Sequence, residues 1–235
     1  MSEISTNVSP SLHPDTVKAL PDYDDDTLPV LAPTVTAFDT AYQAVISVVA
    51  AREAAKTNPT WNEAQQILHS DDLARRKLEH VTKTFDSVRS NLVKGIEHIE
   101  AELTAPVTAK AAVTVATEIR AFVRDMDTPK RHQFIQDAMD NGDEQTVSSL
   151  LGAPPYLSGL TTEFQATYTR MWREKTAPGM AKRLRAMTAA KEMIERNAPI
   201  VFTAMTSAVG APPHKAKALR DAKTAAERHF VMGSA

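Results

Sequence analysis

The chain contains no cysteine, which excludes disulfides, thiolate zinc sites and cysteine nucleophiles together. It is also poor in glycine, with 7 in 235 residues, and aromatics make up only 6%. That scarcity argues against a β-sandwich or a nucleotide-binding α/β fold, which need glycine turns and β-branched or aromatic runs. No G-x-G-x-x-G, P-loop, H-E-x-x-H or G-x-S-x-G motif occurs. No apolar run reaches the about 18–20 residues of a bilayer-spanning helix. The best stretch, Ala41 to Ala51, is short and carries Tyr42, Gln43 and Ser47. Residues 1–12 have neither a basic start nor an apolar stretch, so no secretory leader is expected. These absences predict a soluble, cytoplasmic chain, with no membrane among its partners and no cofactor.

What is present is helical grammar. Hydrophobic residues make up 43% of the chain, enough to bury a core. Leu78, Val81, Phe85, Val88, Leu92, Ile96, Ile99 and Leu103 recur at steps of three and four, the period of one helix face and near that of a coiled-coil seam. Two consecutive four-steps, Val88 to Leu92 to Ile96, form a stutter in the heptad pattern. The spacing predicts an all-α multi-helix bundle organised on one long amphipathic helix over about 71–104. Ser70 would cap it and Pro106 would stop it, giving a length of roughly 50 Å. The stripe fits either a core within the chain or a seam between chains.

Punctuation divides the rest. Pro10, Pro14, Pro21, Pro29 and Pro33 predict an irregular, extended acidic arm over residues 1–33, with at most a short turn near Asp15. The helical domain would then be 34–235, with a subdivision near 105–127 into a 34–105 hairpin and a 128–235 bundle of shorter helices. Helices are expected over about Val35–Lys56, Thr108–Met126, from Thr128 as cap and Pro129 to before Gly142, from Asp143 as cap to Leu151, from Thr161 as cap over Thr162–Thr176, through a basic segment to Asn197 with a break or kink at Pro199, and over His214–Val231. Leu150–Pro155 and Ala208–Pro213 share the letters Gly-Ala-Pro-Pro. A glycine cap followed by a proline stop, used twice, accounts for that echo.

Charge is asymmetric although the net is only −2. Within residues 1–33 six carboxylates stand against Lys18; within 170–196 eight basic residues stand against Glu174, Glu192 and Glu195. Asp22, Asp24, Asp25 and Asp26 are candidate interaction residues, but they lack the glycine and distal glutamate of a calcium loop. Lys182, Arg183 and Arg185 are candidates for phosphate contact within a basic helix, 179–197. Glu79-His80 and Glu97-His98 share an azimuth on the long helix but lie roughly 27 Å apart, too far to share a metal ion. No metal or catalytic residue is predicted.

One segment carries a resemblance. Gly142, Asp143 and Thr146, followed by Leu151, Gly152, Ala153, Pro154, Pro155, Tyr156, Leu157, Ser158, Gly159 and Leu160, resemble a shared Gly-Asp-x-x-Thr and Leu-Gly-Ala-Pro-Pro-aromatic-Leu-Ser-Gly-Leu segment. It is found in a group of uncharacterised helical proteins of bacteriophages and prophages. The resemblance covers about a fifth of the chain, leaves residues 1–33 outside, and brings no catalytic residue. It implies a phage-encoded, virion-associated structural or assembly protein that contacts other phage proteins or further copies of itself. The alternative is a nucleic-acid-associated protein acting through the basic helix. Within the segment, Gly152, Pro154, Pro155, Tyr156 and Leu157 are read as a structural hinge. Tyr156 and Leu157 would anchor it to a core, with no ligand at the loop.

Overall fold

The computed structural model describes residues 8–111 and 114–230. Among them the chain forms only helices and turns: α1 (Asp15–Lys18), α2 (Leu28–Lys56), α3 (Glu63–Ala111), α4 (Thr114–Arg124), α5 (Thr128–Asp140), α6 (Glu144–Leu151), α7 (Thr162–Thr176), α8 (Pro178–Val209) and α9 (Pro213–Glu227). The all-α class and the dominant long helix are therefore as the periodicity requires.

The chain forms two compact units, residues 1–92 with 189–235, and residues 93–188. The boundaries fall inside α3 and α8, so they follow neither the 33/34 division nor a cut near 105–127. The reason is physical: an uninterrupted helix carries no punctuation where it leaves one core and joins another.

In the first unit, the expected arm is largely folded. Residues 1–7 lie outside the described part, but Leu12 and Val17 are fully buried, and α2 already begins at Leu28. Pro29 sits in the first turn of α2, where its missing N–H costs nothing, and Pro33 lies further inside the helix. Proline density thus marked the start of a helix rather than an extended segment. Asn197 of α8 donates from Nδ2 to the Ser11 carbonyl at 2.9 Å, tying this region down. Phe38 of α2 stacks on Phe85 of α3 with ring centroids 5.3 Å apart, both buried. Val81, Phe85, Val88 and Leu92 are all buried by the chain's own helices. The stripe is an intrachain core there, and the intermolecular seam is not needed to cover it. Helix α2 is long and apolar enough to cross a membrane by length and composition, a segment longer than the Ala41–Ala51 stretch. Its apolar residues Leu31, Phe38, Ala41, Val45 and Val48 build this core.

Helix α3 is longer at both ends than expected. Ser70 does not cap it: the residue is buried inside the helix, and its hydroxyl donates to the Gln66 carbonyl at 2.8 Å. The helix starts at Glu63, where Asn62 Oδ1 accepts the Gln65 N–H and Gln65 Oε1 accepts the Asn62 N–H, a reciprocal capping box. It also runs past Pro106 to Ala111, and α8 runs past Pro199 to Val209. A proline removes one hydrogen bond without forbidding helix on both sides of it.

The second unit is made of short capped helices. Asp127, not Thr128, caps α5, its carboxylate accepting the Lys130 N–H at 2.9 Å. Asp143 caps α6 and Thr161 caps α7, as their positions imply. Val123, Ile135, Met139, Val147, Leu150, Leu160, Tyr168 and Trp172 form one buried cluster. The Arg131 guanidinium closes the connections around it, donating to the carbonyls of Val123, Arg124, Met126 and Gly159. The two Gly-Ala-Pro-Pro segments differ in conformation: Gly210 has φ +74°, whereas Gly152 has φ −84°. Shared letters are therefore not shared geometry.

Candidate functional site

The second unit contains a cavity of about 560 Å³, walled by α7, by the end of α3 and by the segment leaving α6. Its construction starts with helical periodicity. Thr162, Gln165, Ala166, Thr169, Arg170 and Arg173 recur at threes and fours along α7, so they share one face. Tyr168 and Trp172 belong to the adjoining face and sink into the core cluster, which fixes the rotation of the helix. All six residues of the shared face line the cavity, with Trp172 at its edge. Leu103, Thr104, Val107 and Thr108 of α3 supply a second wall on the same principle.

The third wall is Leu151, Gly152, Ala153 and Pro154. A helix end leaves carbonyls without partners. Here Gln165 supplies donors, its Nε2 reaching the Leu151 carbonyl at 3.0 Å and the Ala153 carbonyl at 2.6 Å. One side chain of α7 thus holds the loop in place. Upstream, Asp143 secures the other end of α6. Its carboxyl is held below the ordinary aspartate value, first by the Thr146 hydroxyl and then by the Thr146 and Gln145 backbone N–H groups.

The electrostatics of the cavity are one-sided. No aspartate or glutamate is among its lining residues, whereas Arg170 and Arg173 both are. Arg173 donates from Nη2 to the Thr104 hydroxyl at 3.0 Å, and its buried Nε has no acceptor. Neither arginine forms an ion pair with a described residue. Arg173 also borders a smaller cavity with Glu102 and Glu144, yet pairs with neither. Leu103, Val107, Leu151 and Trp172 make the remainder largely apolar. Such a site can hold an anion by its guanidiniums and an apolar body by its walls.

The residues singled out from sequence fall elsewhere or take other roles. Asp24, Asp25 and Asp26 are exposed in the turn before α2, and Asp24 Oδ1 accepts the Asp26 N–H at 3.0 Å. Asp22 has φ +62°, a left-handed conformation that aspartate tolerates, and its carbonyl accepts the Thr27 hydroxyl at 2.6 Å. The cluster builds a turn. Among the described residues no group of three or more His, Asp or Glu could hold a metal ion. On α8, Arg183 and Arg185 are exposed and Lys182 is half-buried; Arg185 pairs with Glu174 at 3.0 Å.

The hinge reading of 152–157 needs correction at Tyr156. Tyr156 is 71% exposed and anchors nothing. Burial falls instead to Ser158 and Leu160, because Gly159, at φ +71°, turns the chain inward after the short Pro155–Leu157 turn. Leu157 is half-buried. The loop is also not remote from a ligand-sized space, since Gly152 and Pro154 border the cavity. Gln165, Thr169, Arg170 and Arg173 were not singled out as a site. Their signal was present as a polar face with two arginines three residues apart, hidden within a generally basic stretch.

No protein-family model, curated protein or solved structure matches the chain.

Proposed function

We propose that the chain is a non-enzymatic structural or assembly component of a phage particle, working through contacts between its helical faces and neighbouring proteins. The observation that carries this reading is the set of large apolar side chains left in solvent on the second unit. Phe122 is 60% exposed, Tyr156 71% and Phe164 45%, with Val115 and Met171 also exposed. Phenylalanine, tyrosine and methionine are the residues enriched in protein interfaces. Phe122 packs edge-on against Phe134, and Phe164 lies over the His132 ring, so both are held in position rather than loose. The resemblance of residues 142–160 to phage proteins supplies the setting. The folded state of residues 8–33 moves the expected contacts from an arm to these faces.

A nucleic-acid role for the basic helix 179–197 has less support, since Arg185 already has a carboxylate partner. The test is to raise an antibody to the chain and probe particles purified from a lysate of the strain that encodes it. We expect the protein in the particles, and a Phe122→Ser/Phe164→Ser double variant depleted about tenfold, the loss of two modest interface anchors. Absence of the unaltered protein from purified particles would overturn the proposal.

A further inference from the structure

We infer that the cavity of the second unit binds a carboxylate carried on a small apolar body, with Arg170 and Arg173 meeting the carboxylate. This goes beyond the assembly reading and does not depend on it.

Three observations carry the inference. The first is size. A space of about 560 Å³ lies inside the range of roughly 300–1,000 Å³ typical of small-ligand clefts. The second is uncompensated charge. Arg170 and Arg173 stand three residues apart on one helix face, which places their Cβ atoms about 5–6 Å from each other. Arg173 is oriented by the Thr104 hydroxyl, retains a buried Nε without an acceptor, and has no carboxylate partner among the described residues. Arg170 is exposed and engages no described residue. A buried charged donor without an acceptor is costly, and a planar guanidinium matches a carboxylate through paired N–H donors. The third is the lining. Leu103, Val107, Leu151 and Trp172 would leave a strongly hydrated dianion poorly solvated, but they suit a monoanion whose body is apolar.

That chemistry has two sources, a free small organic acid or the C-terminal carboxylate of another chain with an apolar last residue. The test uses the full chain carrying Trp61→Phe, which leaves Trp172 at the edge of the cavity as the only tryptophan fluorophore. The probes are 3-phenylpropionate with its neutral amide, and acetyl-Ala-Ala-Leu with a free or an amidated C-terminus. We expect saturable quenching or enhancement by an acid, with its amide at least about tenfold weaker, as loss of a charge-assisted hydrogen bond implies. Tighter binding of the peptide acid identifies a chain terminus; tighter binding of 3-phenylpropionate identifies a free acid.

Arg170→Ala should weaken the better probe about tenfold or more without disturbing the fold, because Arg170 is exposed and engages no described residue. Arg173→Lys keeps the charge but loses the paired donors, and should also weaken it. The inference is overturned if neither acid saturates by about 10 mM, a threshold weaker than any useful site. It is equally overturned if acid and amide bind alike, or if Arg170→Ala binds as the parent does.

Discussion

The two units solve the same problem, covering apolar helix faces, by different means. The unit of residues 1–92 and 189–235 relies on long helices whose apolar stripes interlock, with Phe38 on Phe85 at its centre. Its side-chain contacts between distant segments include surface ion pairs, such as Arg89 with Glu195 and Lys215 with Glu63, which contribute little each. The unit of residues 93–188 joins short helices through side chains that satisfy backbone ends: Asp127, Asp143 and Thr161 at N-termini, Arg131 and Gln165 at carbonyls. Long helices leave few backbone groups unpaired per residue, yet a space of about 530 Å³ still opens between α2 and α8. Short ones need many joints, and each joint is a place where a cavity or an exposed ring can be held. The space lined by two arginines and no carboxylate belongs to the second unit, where Phe122, Tyr156 and Phe164 are exposed; Phe202 and Phe230 are exposed in the first.

The largest expected effect probes whether this contrast extends to cooperativity. Phe38→Ala removes a fully buried ring and should cost about 3–5 kcal/mol in denaturant unfolding. Amide exchange should accelerate in α2 while α5–α7 retain their protection. Equal acceleration in both would break the comparison by making the chain one cooperative block.

Arg131→Ala should cost less, roughly 2–3 kcal/mol, because several carbonyls lose a charged donor while some regain water. Faster exchange near 123–126 and 157–160, with α2 unaffected, sharpens the claim that joints hold the second unit.

The smallest effect is Asp143→Ala, about 1 kcal/mol for a lost N-cap. It carries a pH signature. The folded carboxyl lies below the ordinary aspartate value of 3.8, so its contribution is fully present above that pH and fades as pH falls through the lower folded value. The stability gap between parent and variant should therefore be constant at neutral pH and close in acid. A gap that widens in acid would remove Asp143 from its capping role.

How much of this was legible depends on the element. The stripe from Val81 to Leu103 located the long helix because a 3.6-residue period survives any tertiary context. The Asp143 and Thr161 caps were readable because each acts within three residues of itself. Other readings failed where one residue type serves two ends. Proline at 29 opens a helix, while proline at 106 and 199 lies within one. Ser70 has the chemistry of a cap but spends its hydroxyl inside α3. Gly152 and Gly210 share a motif yet differ in the sign of φ.

The cavity lay further from reach. Arg170 and Arg173 were visible as charges, but nothing local marks them as lacking carboxylate partners, because that depends on which side chains arrive from α3 and the 151–154 loop. What the sequence by itself determined is the class of structure: helices, their principal face and several of their ends, all set by interactions within one turn of chain. Only the tertiary structure decided that the stripe from Val81 to Leu92 is covered by its own chain, that the boundaries of the two compact units fall inside α3 and α8, and that two arginines line one cavity without a carboxylate. Those depend on contacts between residues far apart in sequence, whose meeting no local pattern specifies.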